Sequence, residues 1–195
     1  MKRKIMIINL FGMDGVGKTT HAKSLVSYLT DREIKCIYYH THEYVLNRTD
    51  SVSENQIRTY QKFFTLWPII AWFDNKLYYK RFFHEQRKDN VIITDRYFYD
   101  KVAKFLSLGV LNPSLAYLYI RSIPRPDLNI FVDAPSEVAF ARKPEHTLRE
   151  FIILRKIYYW ISGQLDPSPT IIRTDREFND AQNNLRRLVT PYFDY

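Results

Sequence analysis

Gly12-Met13-Asp14-Gly15-Val16-Gly17-Lys18-Thr19 is a complete G-x-x-x-x-G-K-[ST] phosphate-binding loop. The apolar run before it, Ile5 to Phe11, reads as a buried parallel strand. After it, Ala22, Leu25, Val26 and Leu29 recur at helical spacing. Strand, glycine loop and helix in that order turn a text match into a site. Glycines let backbone N–H groups approach a polyphosphate with no Cβ in the way. The helix N-terminus adds unpaired donors and a partial positive charge. Lys18 is placed to reach the β- and γ-phosphates, and the Thr19 hydroxyl to ligate Mg2+.

Outward from the loop, strand and helix signals alternate. Ile34 to His40 is rich in β-branched and aromatic residues and reads as a strand. Ser51 to Glu54 offers a capping box, and Ile69 to Lys88 a long aromatic and basic helix. Val91 to Asp95 and Leu128 to Asp133 are apolar strands, each ending in a carboxylate. Between them lie a helix from Tyr97 to Leu108, closed by Gly109, and a shorter one opened by Asn112-Pro113. Pro135 starts a further helix, broken around Arg142-Lys143-Pro144. Another runs from about Thr147 and stops at Gly163. Thr170 to Arg173 is the last strand. Thr174-Asp175-Arg176-Glu177 spells a capping box for the final helix. This alternation, with no hairpin signals, predicts a three-layer α/β domain with a central parallel five-stranded sheet flanked by helices. Ligands bind such sheets at the carboxyl ends of the strands, where the glycine loop, Asp95 and Asp133 all fall.

The 195 residues, 46% apolar, suit one domain with a substantial core. No apolar run approaches the length of a membrane span, and the short basic-then-apolar start lacks the pattern of a signal peptide. Cys36 is the single cysteine, which excludes an internal disulfide and points to a cytoplasmic location. The net charge of +8 attracts anions, nucleotides or nucleic acid. With Lys and Arg spread along the chain and no run of like charge, a nucleic-acid partner is the lesser reading.

Asp95 at a strand end is the metal-orienting carboxylate a phosphate-loop enzyme needs. Arg96 beside it can clamp a phosphoryl group with a bidentate fork. Asp14 either meets a sugar hydroxyl of an acceptor or faces solvent. Arg142, Lys143 and Arg149 flank the break between two helices. They form either a basic lid over the phosphates, at about residues 142–149, or an ordinary interhelix loop. His40 and His42 read as loop polar groups before metal ligands.

Several of these stretches resemble one family. Phe11 to Thr20 is similar to the phosphate loop of thymidylate kinases, with an acid two residues after the first glycine and a second Thr at its end. Thr94-Asp95-Arg96-Tyr97 looks like the family's Asp-Arg-Tyr motif. Arg125-Pro126-Asp127-Leu128 through Asp133-Ala134-Pro135-Ser136-Glu137-Val138-Ala139 resembles its Pro-Asp-Leu strand and following helix. The resemblance implies a P-loop kinase fold, a homodimer, and Mg2+-dependent transfer of the γ-phosphoryl of ATP to a nucleoside monophosphate. It implies that Gly12, Asp14, Gly15, Val16, Gly17, Lys18, Thr19, Thr20 and Arg142 hold ATP, with Thr174 and Asp175 in the adenine-contacting loop, and that Thr19 and Asp95 hold the metal. Catalysis then falls to Lys18, Asp95, Arg96 and a lid arginine, Arg142 or Arg149. Asp14 would contact the acceptor's sugar, Arg96 its phosphate, and Tyr97 its sugar or base.

The sequence departs from the family on the acceptor side. His40-Thr41-His42-Glu43-Tyr44-Val45 stands where members carry Arg-Glu-Pro-Gly-Gly-Thr. Ala71-Trp72-Phe73-Asp74-Asn75-Lys76 replaces the Phe-Ala-x-x-Arg that reads thymine. Asp100 replaces the usual Ser. Trp72, Phe73, Asn75 and Asp100 are therefore candidate acceptor contacts, and a changed pocket implies changed or relaxed acceptor choice. Two other classes stay open. One is a kinase of nucleosides or other small hydroxyl compounds, with Asp95 or a nearby acid as base. The other is a non-catalytic nucleotide- or nucleic-acid-binding protein.

Overall fold

A computed structural model of the chain describes residues 6–40, 73, 76–77 and 91–193. Five strands, β1 (Met6–Phe11), β2 (Cys36–His40), β3 (Val91–Asp95), β4 (Leu128–Asp133) and β5 (Thr170–Arg173), form one parallel sheet in the order β2-β3-β1-β4-β5. All of β3 and β4 and nearly all of β1 are buried, as apolar runs covered on both faces require. The described helices are α1 (Lys18–Thr30), α2 (Phe98–Ser107), α3 (Pro113–Ser122), α4 (Ser136–Arg142), α5 (Leu148–Gln164) and α6 (Phe178–Val189). They pack as two sets, α1 with α6, and α2 with α3 and α5 while α4 joins α5. The three-layer α/β expectation holds.

Register aligns the carboxyl ends. Leu10 pairs with Asp95, which pairs with His40, while Phe11 pairs with Phe131 and Asp133 with Arg173. The residues that leave these strands therefore meet along one edge. At the opposite end, the Asp127 carboxylate accepts the Ile7 N–H at 2.9 Å, which gives the Pro-Asp-Leu stretch a structural task. Thr94, Asn9 and Asn129 form a buried hydrogen-bonded line across β3, β1 and β4, at 3.1 and 2.9 Å. Each polar group there satisfies another, which removes most of its desolvation penalty.

Local chemistry accounts for most boundaries. Asn112 accepts the Leu115 N–H and Pro113 takes the first helical position of α3. Gly109 adopts φ 68° after α2. Thr147 and Glu150 form a reciprocal capping box on α5. Two expectations are corrected. Gly163 does not stop α5, which runs on to Gln164. Thr174 does not cap α6. Its hydroxyl donates to the Val16 and Asp133 carbonyls, and the helix starts after Glu177 with no side-chain cap. The capping box at Ser51 to Glu54, and the helix from Ile69 to Lys88 apart from positions 73, 76 and 77, lie outside the described residues.

Candidate active site

The loop between β1 and α1 is shaped by what its glycines lack. A Cβ on Gly12 would lie 2.3 Å from the Val132 carbonyl oxygen, and one on Gly15 would lie 2.2 Å from that of Ala139. Both residues also have φ in the region L side chains rarely adopt, 148° and 78°. The loop is thus seated directly on β4 and α4. Val16 is buried beneath it, and Thr20 is exposed on the first turn of α1. Lys18, only 5% exposed, donates to the Gly12 and Met13 carbonyls at 2.7 and 2.8 Å. Its ammonium stands 3.8 Å from Asp14. Burial lowers its pKa, while the carboxylates of Asp14, Asp100 and Asp95 pull the other way.

Asp95 is fully buried at the end of β3. One of its oxygens, Oδ2, receives the hydroxyls of Thr19 and Tyr38 (2.9 Å for the latter) and lies 3.1 Å from His40 Nδ1. The other, Oδ1, is buried with no hydrogen-bond partner among the described residues. A buried carboxylate oxygen without a donor, next to a threonine hydroxyl, is the hard oxygen set that suits Mg2+. Thr19 and Asp95 therefore fit the metal role. Among the described residues no group of three or more His, Cys, Asp or Glu is gathered. Such a site suits a cation shared with phosphates, not one held in an all-protein cage.

Arg96 follows with φ 75°, a left-handed conformation that costs a non-glycine residue about 1–3 kcal/mol. Its N–H bonds the Leu10 carbonyl at 3.0 Å, and its guanidinium donates to the Asp14 carboxylate. Burial works against its charge, and Asp14 and Asp100 more than offset that, so its pKa is raised. One acid thus lies between two cations, Lys18 and Arg96. Tyr97 points into the core, where it is 2% exposed, lies 5.2 Å from the Tyr99 ring and donates to the Pro124 carbonyl at 2.6 Å. Asp100 accepts the Tyr97 N–H at 2.9 Å and the Tyr158 hydroxyl at 2.8 Å. Phe73 is helical and 57% exposed, while Trp72 and Asn75 lie outside the described residues.

On the other side of the loop, Arg142 ends α4 and donates to the Thr174 carbonyl at 2.8 Å. Thr174 Oγ1 in turn bonds the Val16 carbonyl at 2.8 Å. Three distant stretches, the loop, the end of α4 and the residue after β5, are joined by two hydrogen bonds. Asp175 pairs with Arg173 at 3.0 and 3.1 Å. Arg149 is exposed on the first turn of α5, while Arg142 is bonded to the residue that follows β5.

Several residues here escaped motif reading. Asp133, buried at the end of β4, receives a two-pronged contact from Arg155 (2.9 and 2.8 Å) and the Tyr159 hydroxyl (2.8 Å). The Arg155 fork holds that arginine's pKa up. His21, on α1, stacks on Phe178 at 4.9 Å, and its Nδ1 lies 2.6 Å from the Gln182 amide. Burial, with the Arg142 charge nearby, pushes it down to about 4. Only Asp133 carried a sequence signal, its place at the end of an apolar strand.

A parallel sheet with a phosphate loop after its central strand, and an aspartate–arginine pair ending the neighbouring strand, defines a phosphate-loop nucleotide kinase. The thymidylate kinase family model matches residues 11–158, about three quarters of the chain. The chain belongs to the thymidylate kinase family. Among solved structures, thymidylate kinase from Ehrlichia chaffeensis is similar over 94% of this chain and 98% of that one, with TM-score 0.66 and 16% identity. At that identity the likeness is one of fold. No curated protein sequence matches the chain.

Proposed function

We propose that the protein transfers the γ-phosphoryl group of ATP to a nucleoside monophosphate of the dTMP type. Family membership and fold support a nucleoside monophosphate kinase. The observation that carries the reading is the pair of cations around Asp14, Lys18 at 3.8 Å and Arg96 in direct contact. Transfer between two phosphates brings together two anions, and each needs its own cation. A neutral acceptor brings no second anion, and Arg96 would simply stay on Asp14.

On this reading the protein's work is positioning and electrostatics, with no covalent step of its own. Lys18 and the loop N–H groups hold the donor phosphates. Arg96 exchanges its contact with Asp14 for the acceptor phosphate, which frees the Asp14 carboxylate for a sugar hydroxyl. Thr19 and Asp95 would hold Mg2+, which when bound neutralises charge on the donor phosphates. Arg142 and Thr174 border the adenine, with Asp175 beside them. Arg149 completes the lid when that segment closes. Asp100 supports the acceptor side from behind Tyr97, and Trp72, Phe73 and Asn75 are the candidate contacts to the base. A cytoplasmic homodimer belongs to the same proposal, and the exposed Phe73 and Leu77, 57% and 65%, offer apolar surface to its interface.

ADP release from Mg-ATP, measured against a panel of nucleoside monophosphates and the matching nucleosides with Lys18→Ala as blank, tests the reading. Turnover of one or more monophosphates well above the blank is expected. Turnover of nucleosides alone moves the chain to the neutral-acceptor class. ATP binding with no turnover on any acceptor makes it a binding protein.

A further inference from the structure

A hydrogen-bonded path joins the helix after the lid to the turn that presents Arg96. It starts at Tyr158 on α5, 5% exposed, with its ring 6.4 Å from Phe11 and 6.2 Å from Phe131. Those two phenylalanines end β1 and lie in β4, and they stack on each other at 5.3 Å. The ring is therefore located by the core, and its hydroxyl is aimed with little freedom. That hydroxyl donates to Asp100 Oδ1 at 2.8 Å. Asp100 Oδ2 accepts the Tyr97 N–H at 2.9 Å, one residue beyond the left-handed Arg96. Both oxygens of Asp100 are thereby engaged from two directions. A serine at this position could receive the N–H, but it has no second oxygen for a hydroxyl donor.

We infer that Tyr158 is a positioning residue for Arg96, acting through Asp100. The core fixes the ring and the ring fixes the carboxylate. The carboxylate then holds the N–H beside a backbone conformation that is unfavourable for arginine. Strain of that kind persists only where surrounding contacts over-determine it. Burial raises the Asp100 pKa, and the charges of Lys18 and Arg96 pull it back toward the ionised form. The Tyr158 hydroxyl adds to the ionised side of that balance. The inference rests on the reading of Arg96 as the group that binds the acceptor phosphate.

Tyr158→Phe keeps the ring and removes one hydrogen bond to a carboxylate. With the monophosphate the panel selects, dTMP first, KM for the acceptor is expected to rise about tenfold, the ratio one charge-assisted hydrogen bond supports. KM for ATP should stay within about twofold. Asp100→Asn should raise acceptor KM at least as much, and the double variant no further, because both changes cut one path. Equal rises in both KM values, additive effects in the double variant, or a lower Tm with unchanged acceptor KM would each overturn the positioning role. Arg96→Ala measured alongside separates the two levels. If it leaves acceptor KM unchanged, the reading of Arg96 itself fails. If it raises acceptor KM while Tyr158→Phe does not, the role of Tyr158 alone fails.

Discussion

On the function proposed above, the donor and acceptor sides of this site are built in opposite ways. The donor side is a local object, eight consecutive residues whose glycines seat the backbone on β4 and α4 and whose lysine folds back on the same loop. The acceptor side is assembled from a distance. Arg96 leaves β3 in a strained conformation, bonds an aspartate 82 residues away in sequence, and is backed by Asp100 and by Tyr158 on another helix. A site made of backbone needs particular residues at particular spacings. A site made of side chains needs only that something in the fold holds each one. The first tolerates little change in sequence, and the second can change its members while keeping its geometry. On the inference above this chain does that, with Asp100 standing where the family pattern has a serine and Tyr158 holding it.

The contrast sets the size of expected effects. Lys18→Ala should lose about 10²–10³-fold in kcat, the usual cost of removing one preorganised charge-stabilising donor, with Tm little changed. Gly15→Ala should act on the fold as well. A Cβ 2.2 Å from the Ala139 carbonyl at φ 78° should cost about 3 kcal/mol and lower Tm by about 6–12 °C, read by calorimetry. His21 gives the pH test. Its folded pKa of about 4 lies below the ordinary 6.5, so the unfolded chain binds more protons between those values. The stability from neutral His21 is complete above pH 6.5 and is lost as pH falls toward 4, at most about 3 kcal/mol. Urea denaturation at pH 7 and pH 5 should show that difference shrinking in His21→Gln. Thr174→Val, which removes the hydroxyl that donates to Val16, should have the smallest effect, raising KM for ATP by about fivefold and leaving acceptor KM alone.

What could be read from the sequence divides along the same line. Val91–Asp95 and Leu128–Asp133 were legible to the residue because a strand covered on both faces is a continuous apolar run. Asn112-Pro113 announced α3 because its cap is local. Thr174 to Glu177 misled for the complementary reason. The four residues spell a cap, but Thr174 is taken by carbonyls 158 and 41 residues away in sequence, which no local reading can foresee. His40 read as the last residue of a strand, as it is, but only the pairing of β2 with β3 shows that it meets Asp95. Tyr158 and Arg155 carried no signal at all. Among the fifteen tyrosines and many arginines, only the packing of α5 against α2 and α4 singles them out.

On the proposed function, Arg96 serves an acceptor that already carries a phosphate. This claim is tested most directly by kcat/KM for one nucleoside monophosphate and its parent nucleoside, in the wild type and in Arg96→Ala. The wild type should favour the monophosphate strongly, and Arg96→Ala should lose about 10²-fold or more on it while changing little on the nucleoside. Equal turnover of both acceptors, unaffected by Arg96→Ala, would contradict the claim and place the protein among kinases of neutral hydroxyl compounds.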